Sequence, residues 1–224
     1  IFKMCITDDK VKEHYQKYGN TNLITNSGLS NNAQIHAVGD SHCIYFHNSI
    51  KIYEHWGHRL TMYNLVSEGI DLFKLGNILG NGHEKYNIKM NDYVIFYYGY
   101  NDIHKYFFTN YRNDIENNID NLVYQYIDKI LYLKEHYKII PIIPCIYPLP
   151  IKNSSLDIRG SNDDRINYTQ ITNKILETKC KEKDILFFNI YDDISNTLYV
   201  PNFKSTFFCS IICSFIDLFT TILS

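Results

Sequence analysis

Residues 33–48, AQIHAVGDSHCIYFHN, decide how the whole chain is read. Gln34–Val38 (QIHAV) is a short run stopped by Gly39, and it reads as a strand. His42–Asn48 then reads as a short helix. A strand that turns sharply into a helix is the opening of a βαβ unit. The turn carries Gly39-Asp40-Ser41-His42. Gly39 lets the backbone fold tightly there. Ser41 is left at a strand tip and a helix start, where it is either a nucleophile or an N-cap.

The alternation continues outward from this stretch. Ile50–Trp56 (IKIYEHW) reads as a second strand, and 61–79 as a helix with Met62, Leu65, Val66, Leu72, Leu75 and Leu79 roughly on one side. Asp92–Gly99 (DYVIFYYG) is a strongly apolar third strand. Residues 112–136 give the clearest helix, since Ile115, Ile119, Leu122, Val123, Tyr126, Ile127, Ile130 and Leu131 recur at three-to-four spacing. Tyr137–Tyr147 (YKIIPIIPCIY) reads as a fourth strand whose two prolines suit an edge position or a strand end. A Pro-, Ser- and Asn-rich loop over 148–164 leads to a helix at about 165–183, and Asp184–Ile190 (DILFFNI) is a fifth strand. Strands alternating with helices predict an α/β domain with a parallel five-stranded sheet and helices on both faces. Residues 1–33 read as a polar lead-in, 34–204 as the domain, and 205–224 as an atypical apolar tail.

Composition narrows the function. With 22 basic and 24 acidic side chains there is no basic stripe, which argues against nucleic acid as a partner. The wealth of Tyr, Phe, Asn, Ile and Lys reads as codon bias of an AT-rich genome. Six cysteines lack framework spacing and read mainly as buried free thiols. They point to a reducing, cytoplasmic setting. No signal peptide is recognisable, and the chain opens on Ile rather than Met, so it reads as a fragment.

In open parallel sheets, sites form beyond the carboxyl ends of the strands. Two polar clusters fall there: Gly39-Asp40-Ser41-His42 after the first strand and Gly99-Tyr100-Asn101-Asp102 after the third. A serine nucleophile needs a base and donors aimed at the developing oxyanion. The Ser41 N–H and the Asn101 carboxamide are suitable donors. The plainer alternative is that Ser41 caps a helix and Asn101-Asp102 marks a turn.

The segments VGDSH and YYGYNDIH resemble the first and third blocks of the SGNH/GDSL hydrolase superfamily, and the resemblance spans roughly residues 34–200. It implies a flavodoxin-like three-layer α/β/α fold and ester cleavage, often of acetyl groups on carbohydrates, without a metal or other cofactor. Ser41 would be the nucleophile. Ser41, Gly57 and Asn101 would supply the oxyanion donors, with Gly69 as the fallback for Gly57. Asp40 and Asp102 would support the two blocks.

The fourth block of that family, Asp-x-x-His, has no counterpart here. The last of the nine histidines is His136, and Asp192-Asp193 have no histidine after them. His104 is the candidate substitute base, because it follows the third block; His42 would point away from Ser41 on a helix. Where the missing block is expected, residues 205–224 contain no Lys, Arg, Glu, Asn or Gly. This tail reads first as a frameshift product, then as the divergent terminal helix of a pseudoenzyme, and last as a membrane anchor. An anchor is disfavoured because the run is short and holds Asp217. His42, His47, Glu54, His55 and His58 form a histidine-dense region, but HWGH lacks the HExxH pattern and no metal is expected. The expectation is a serine esterase acting on a small or carbohydrate ester, weak or inactive for want of a base. The alternatives are a non-catalytic ester- or glycan-binding module and a flavodoxin-like domain without acyl chemistry.

Overall fold

The computed structural model describes residues 33–40, 52–56, 61–72, 88–111, 114–146, 159–189 and 191, with the backbone alone for 52–56. The sheet contains β1 (Ile35–Gly39), β2 (Ile52–Trp56), β3 (Tyr93–Tyr97), β4 (Ile140–Pro144) and β5 (Leu186–Phe188). Its order is β2-β1-β3-β4-β5 and every neighbouring pair is parallel. This is the flavodoxin-like order, with its reversal of direction at β1 and β3. Chain crossovers reverse there, and in sheets of this kind a crevice forms between the segments leaving the two strand ends. Both polar clusters of the sequence lie at those two tips.

Three helices build the principal core layer: α1 (Met62–Glu68), α3 (Ile115–Tyr137) and α4 (Asn162–Glu182), with α1 packed on α3 and α3 on α4. The short α2 (Phe107–Asn110) precedes α3. The α3 stripe buries Ile119, Leu122, Val123, Tyr126, Ile127, Ile130 and Leu133 against Val38, Val94, Phe96 and Ile143 of the sheet. Each such side chain contributes roughly 1.5–3 kcal/mol. Strand residues of opposite parity, Ile35, Ala37, Tyr93, Ile95, Tyr97 and Ile142, are buried as well. Burial on both faces is what a parallel sheet requires. The helix expected at His42–Asn48, the lead-in and the tail lie outside the described residues, as do 73–79 of the expected second helix.

Two expectations need correction. The helix expected over 61–79 ends at Glu68, because Gly69 (φ 68°) terminates it and returns its N–H to the Leu65 carbonyl at 3.0 Å. Of the two placements expected for the prolines of the fourth strand, the edge is excluded, since β4 lies between β3 and β5, whereas Pro144 does end the strand. The prolines are tolerated because each falls where a ladder is incomplete. Pro141 precedes the first β4–β5 pair, Ile142 with Leu186, and Pro144 follows the last β3–β4 pair, Ile95 with Ile142. The β3 carbonyl facing Pro144 is that of Phe96, and the Tyr126 hydroxyl donates to it at 3.2 Å. A side chain from α3 thus replaces the N–H that proline lacks.

The opposite rim is fastened by Asp92, just before β3. Its carboxylate accepts from the Gln34 N–H (2.9 Å), the Lys89 N–H (2.7 Å) and the buried His36 ring (3.1 Å). Burial holds the His36 pKa below its ordinary value, although Asp92 pulls the other way.

Candidate functional site

The β1 tip leads directly into the crevice. Asp40 is fully buried and donates its backbone N–H to the Tyr97 carbonyl of β3 at 3.3 Å. Its side chain reaches further along the same neighbour. Asp40 Oδ2 accepts from Asn101 Nδ2 at 3.2 Å. A carboxylate oxygen accepts and does not donate, so this contact turns the amide nitrogen of Asn101 toward Asp40 and fixes the carboxamide's orientation. The residue before Ser41 therefore holds the side chain expected to stabilise an oxyanion. Ser41 itself and Gly57 lie outside the described residues.

Asn101 is placed by the turn that precedes it. Gly99 has φ +111°, a region that favours glycine. A Cβ added there would stand 2.3 Å from Ile146 Cδ1 and 2.7 Å from Ile146 Cγ1. Ile146 is almost fully buried, and Asn173 of α4 grips its backbone. The Ile146 N–H donates to Asn173 Oδ1 at 2.7 Å, and Asn173 Nδ2 donates to the Ile146 carbonyl at 2.8 Å. The chain then winds into a helical segment whose first turn is closed by the Ile103 N–H on the Gly99 carbonyl (3.0 Å). A π-helical turn over Asp102–Tyr106 follows and runs into α2. Single π turns are frequent at functional sites.

Asp102 faces away from Asp40's bond, toward α1. Its carboxylate accepts from the Met62 N–H at 2.7 Å and the Tyr63 N–H at 3.3 Å, while Thr61 Oγ1 accepts from the Asn64 N–H at 3.0 Å. The first three otherwise unbonded donors of α1 are all met. Asp102 is wholly buried, and desolvation pushes its carboxyl pKa up to about 7. The two backbone donors oppose that rise, and the charge of Asp40 adds to it.

His104 is buried, its ring 4.0 Å from that of Tyr100 between centroids, and its carbonyl accepts from the Arg159 N–H at 3.1 Å. The Arg165 guanidinium, also buried, donates to the Gly160 carbonyl at 3.0 Å and the Arg159 carbonyl at 3.3 Å, and bonds the Asn162 side chain. The α4 entrance is thereby fastened to the turn that carries Asn101. Gly69, the fallback for Gly57, spends its N–H on ending α1 and is not available as an oxyanion donor. Glu54 and His55 lie on β2, while His42, His47 and His58 lie outside the described residues; among the described residues no group of three metal-ligating side chains occurs.

Sequence reasoning named Asp40, Asn101 and Asp102 but missed Asn173 and Arg165. The buried face of α4 is largely polar (Arg165, Thr169, Thr172, Asn173), so Asn173 did not stand out in the sequence.

No protein-family model matches the chain, and no curated protein matches it. Among solved structures, it is similar to a GDSL-like lipase from Bacteroides thetaiotaomicron, with 17% identity, 80% of this chain and 78% of that one covered, and a TM-score of 0.47. It is also similar to a protein described as an acylhydrolase from Bacteroides fragilis, with 14% identity, coverage of 80% and 77%, and a TM-score of 0.45. A protein described as an SGNH hydrolase from Slackia heliotrinireducens has 12% identity, coverage of 74% and 83%, and a TM-score of 0.41.

Proposed function

We propose that this chain is an SGNH/GDSL-type serine ester hydrolase with Ser41 as nucleophile and Asn101 as an oxyanion donor. The bond from Asn101 Nδ2 to Asp40 Oδ2, at 3.2 Å, carries the reading. It joins the tips of β1 and β3 through the residue adjacent to Ser41. In this reading the Ser41 oxygen attacks the ester carbonyl, whose oxygen gains negative charge and meets donors from Asn101, Ser41 and Gly57. The tetrahedral intermediate collapses, expels the alcohol and leaves an acyl-serine that water hydrolyses. The serine proton must pass to a base, and no histidine follows His136 in this chain. His104, packed against Tyr100, is a poor substitute because its ring is buried. Turnover is therefore slow, at the roughly 10³–10⁴-fold over water that donors and binding alone supply.

The substrate class is a small or carbohydrate ester, met in the cytoplasm; buried free thiols at Cys145 and Cys180 suit that compartment. The missing histidine also favours a second reading, a module that binds such esters without cleaving them. Release of p-nitrophenol from p-nitrophenyl acetate, together with fluorophosphonate labelling, tests both. The expected result is slow release and slow labelling, each lost in Ser41→Ala. Turnover above about 1 s⁻¹ that Ser41→Ala abolishes would refute the missing-base argument. Release indifferent to both Ser41→Ala and Asn101→Ala would refute the hydrolase reading.

A further inference from the structure

Asp102 is a buried carboxylate beside the Asn101 turn, and its bonds run to the first turn of α1. Among the described residues no cation pairs with it; its charge rests on the Met62 and Tyr63 N–H groups, at 2.7 and 3.3 Å. Burying a carboxylate on neutral donors alone is costly. Capping by itself does not require that cost, since Thr61 already caps Asn64 and a neutral acceptor could take one of the two remaining donors. What the arrangement achieves is a joint. Residue 101 is held through its side chain from β1, by Asp40, and residue 102 is held from α1, by two backbone donors. The turn between β3 and the π-helical segment is thus tied to both of its neighbours across the crevice.

We infer that Asp102 is a positioning residue: it locks the first turn of α1 to the Asn101 turn and so sets where the Asn101 carboxamide stands. This deepens the hydrolase reading and rests on it for the role of Asn101. The Asp102 carboxylate is taken up by the Met62 and Tyr63 N–H groups, so it acts through its neighbour. Met62 lies at the same joint, its side chain fully buried and its Cε 3.4 Å from where a Cβ on Gly99 would sit. A shift of the first turn of α1 therefore presses on Gly99, two residues before Asn101.

The test compares the wild-type chain with Asp102→Ala and Asp102→Asn by NMR and by fluorophosphonate labelling. Asn retains one acceptor oxygen and serves as the milder variant if Asp102→Ala does not fold. The expected result is at least tenfold faster exchange of the Met62 and Tyr63 amides, together with a displaced side-chain amide signal of Asn101. Labelling of Ser41 slows at least tenfold, partly restored in Asp102→Asn. The double variant Asn101→Ala/Asp102→Asn labels no more slowly than Asn101→Ala alone, because both changes act through one carboxamide. A folded variant with an unmoved Asn101 signal overturns the inference, and so does strict additivity. If the wild-type protein is not labelled at all, the hydrolase reading fails and the Asn101 signal alone decides the positioning role.

Discussion

Gly99→Ala is the most informative single change, because two separate penalties fall on one methyl group. The first is conformational: at φ +111° an L side chain is strained, at a cost of roughly 1–2 kcal/mol. The second is steric. The new Cβ would lie 2.3 and 2.7 Å from two carbons of Ile146, well inside the ordinary contact of about 3.5–4.0 Å. Ile146 is almost fully buried, and Asn173 fixes its backbone at both polar atoms, so the overlap is relieved only by moving the β3 tip or repacking the core. Overpacking of this kind costs typically about 1–3 kcal/mol. The sum, about 2–5 kcal/mol, is read as the shift in the urea unfolding midpoint with the slope unchanged. A double-mutant cycle separates the parts. Ile146→Ala removes the steric partner, so the two changes together should fall short of additivity by about 1–3 kcal/mol, with the conformational part remaining. A loss below about 0.5 kcal/mol for Gly99→Ala, or an additive cycle, would refute this account of the turn.

Three further outcomes follow from the same structure. Asp102, raised to about 7 when folded and near its ordinary value when unfolded, holds its proton longer in the native state, so its contribution to stability is present at acid pH and is lost as pH rises from about 4 through 7. The difference in Tm between Asp102→Asn and wild type should therefore move in favour of the variant across that window and level off above about pH 8; a constant difference would disprove it. Asp92→Ala leaves the Gln34 and Lys89 N–H groups and the His36 ring without their acceptor and should cost about 3 kcal/mol or more in chemical denaturation. Lys138, with φ +54° just after α3, sits where glycine is favoured, and Lys138→Gly should raise stability by about 1 kcal/mol, since the exposed pair of Lys138 with Glu135 contributes little; a lower midpoint would count against it.

Much of the fold was legible because parallel sheets bury their strands on both faces. The run Tyr93–Tyr97 is apolar or aromatic throughout, Ile35–Val38 is apolar but for His36, and α3 displays its stripe in full. The gathering of Asp40 and Asn101 at one crevice followed from strand alternation, since both clusters end strands that turn out to be neighbours. Less legible were the features that depend on contacts distant in sequence. Gly69 could have been read as a stop, but the apolar residues beyond it continued a helical period. An interior strand with two prolines contradicts local rules until Tyr126, thirty positions from Phe96, is seen to supply the missing donor. Asp102 looked like a turn residue or a support for its own block. Its partners, Met62 and Tyr63, lie about forty residues earlier and contribute only backbone, which leaves no mark in the side-chain pattern.

The prolines of β4 have a consequence for how the strand finds its place. Pro141 has no donor to give toward β5 and Pro144 none toward β3, so the strand is notched on opposite sides, three residues apart. Sliding it by two residues would keep its faces but bring Pro144 opposite the Val94 carbonyl and strand the hydroxyl of Tyr126. Misaligned pairings are thus penalised by the shape of β4 itself, and the molecule carries in two imino acids a key that fits its slot in one alignment.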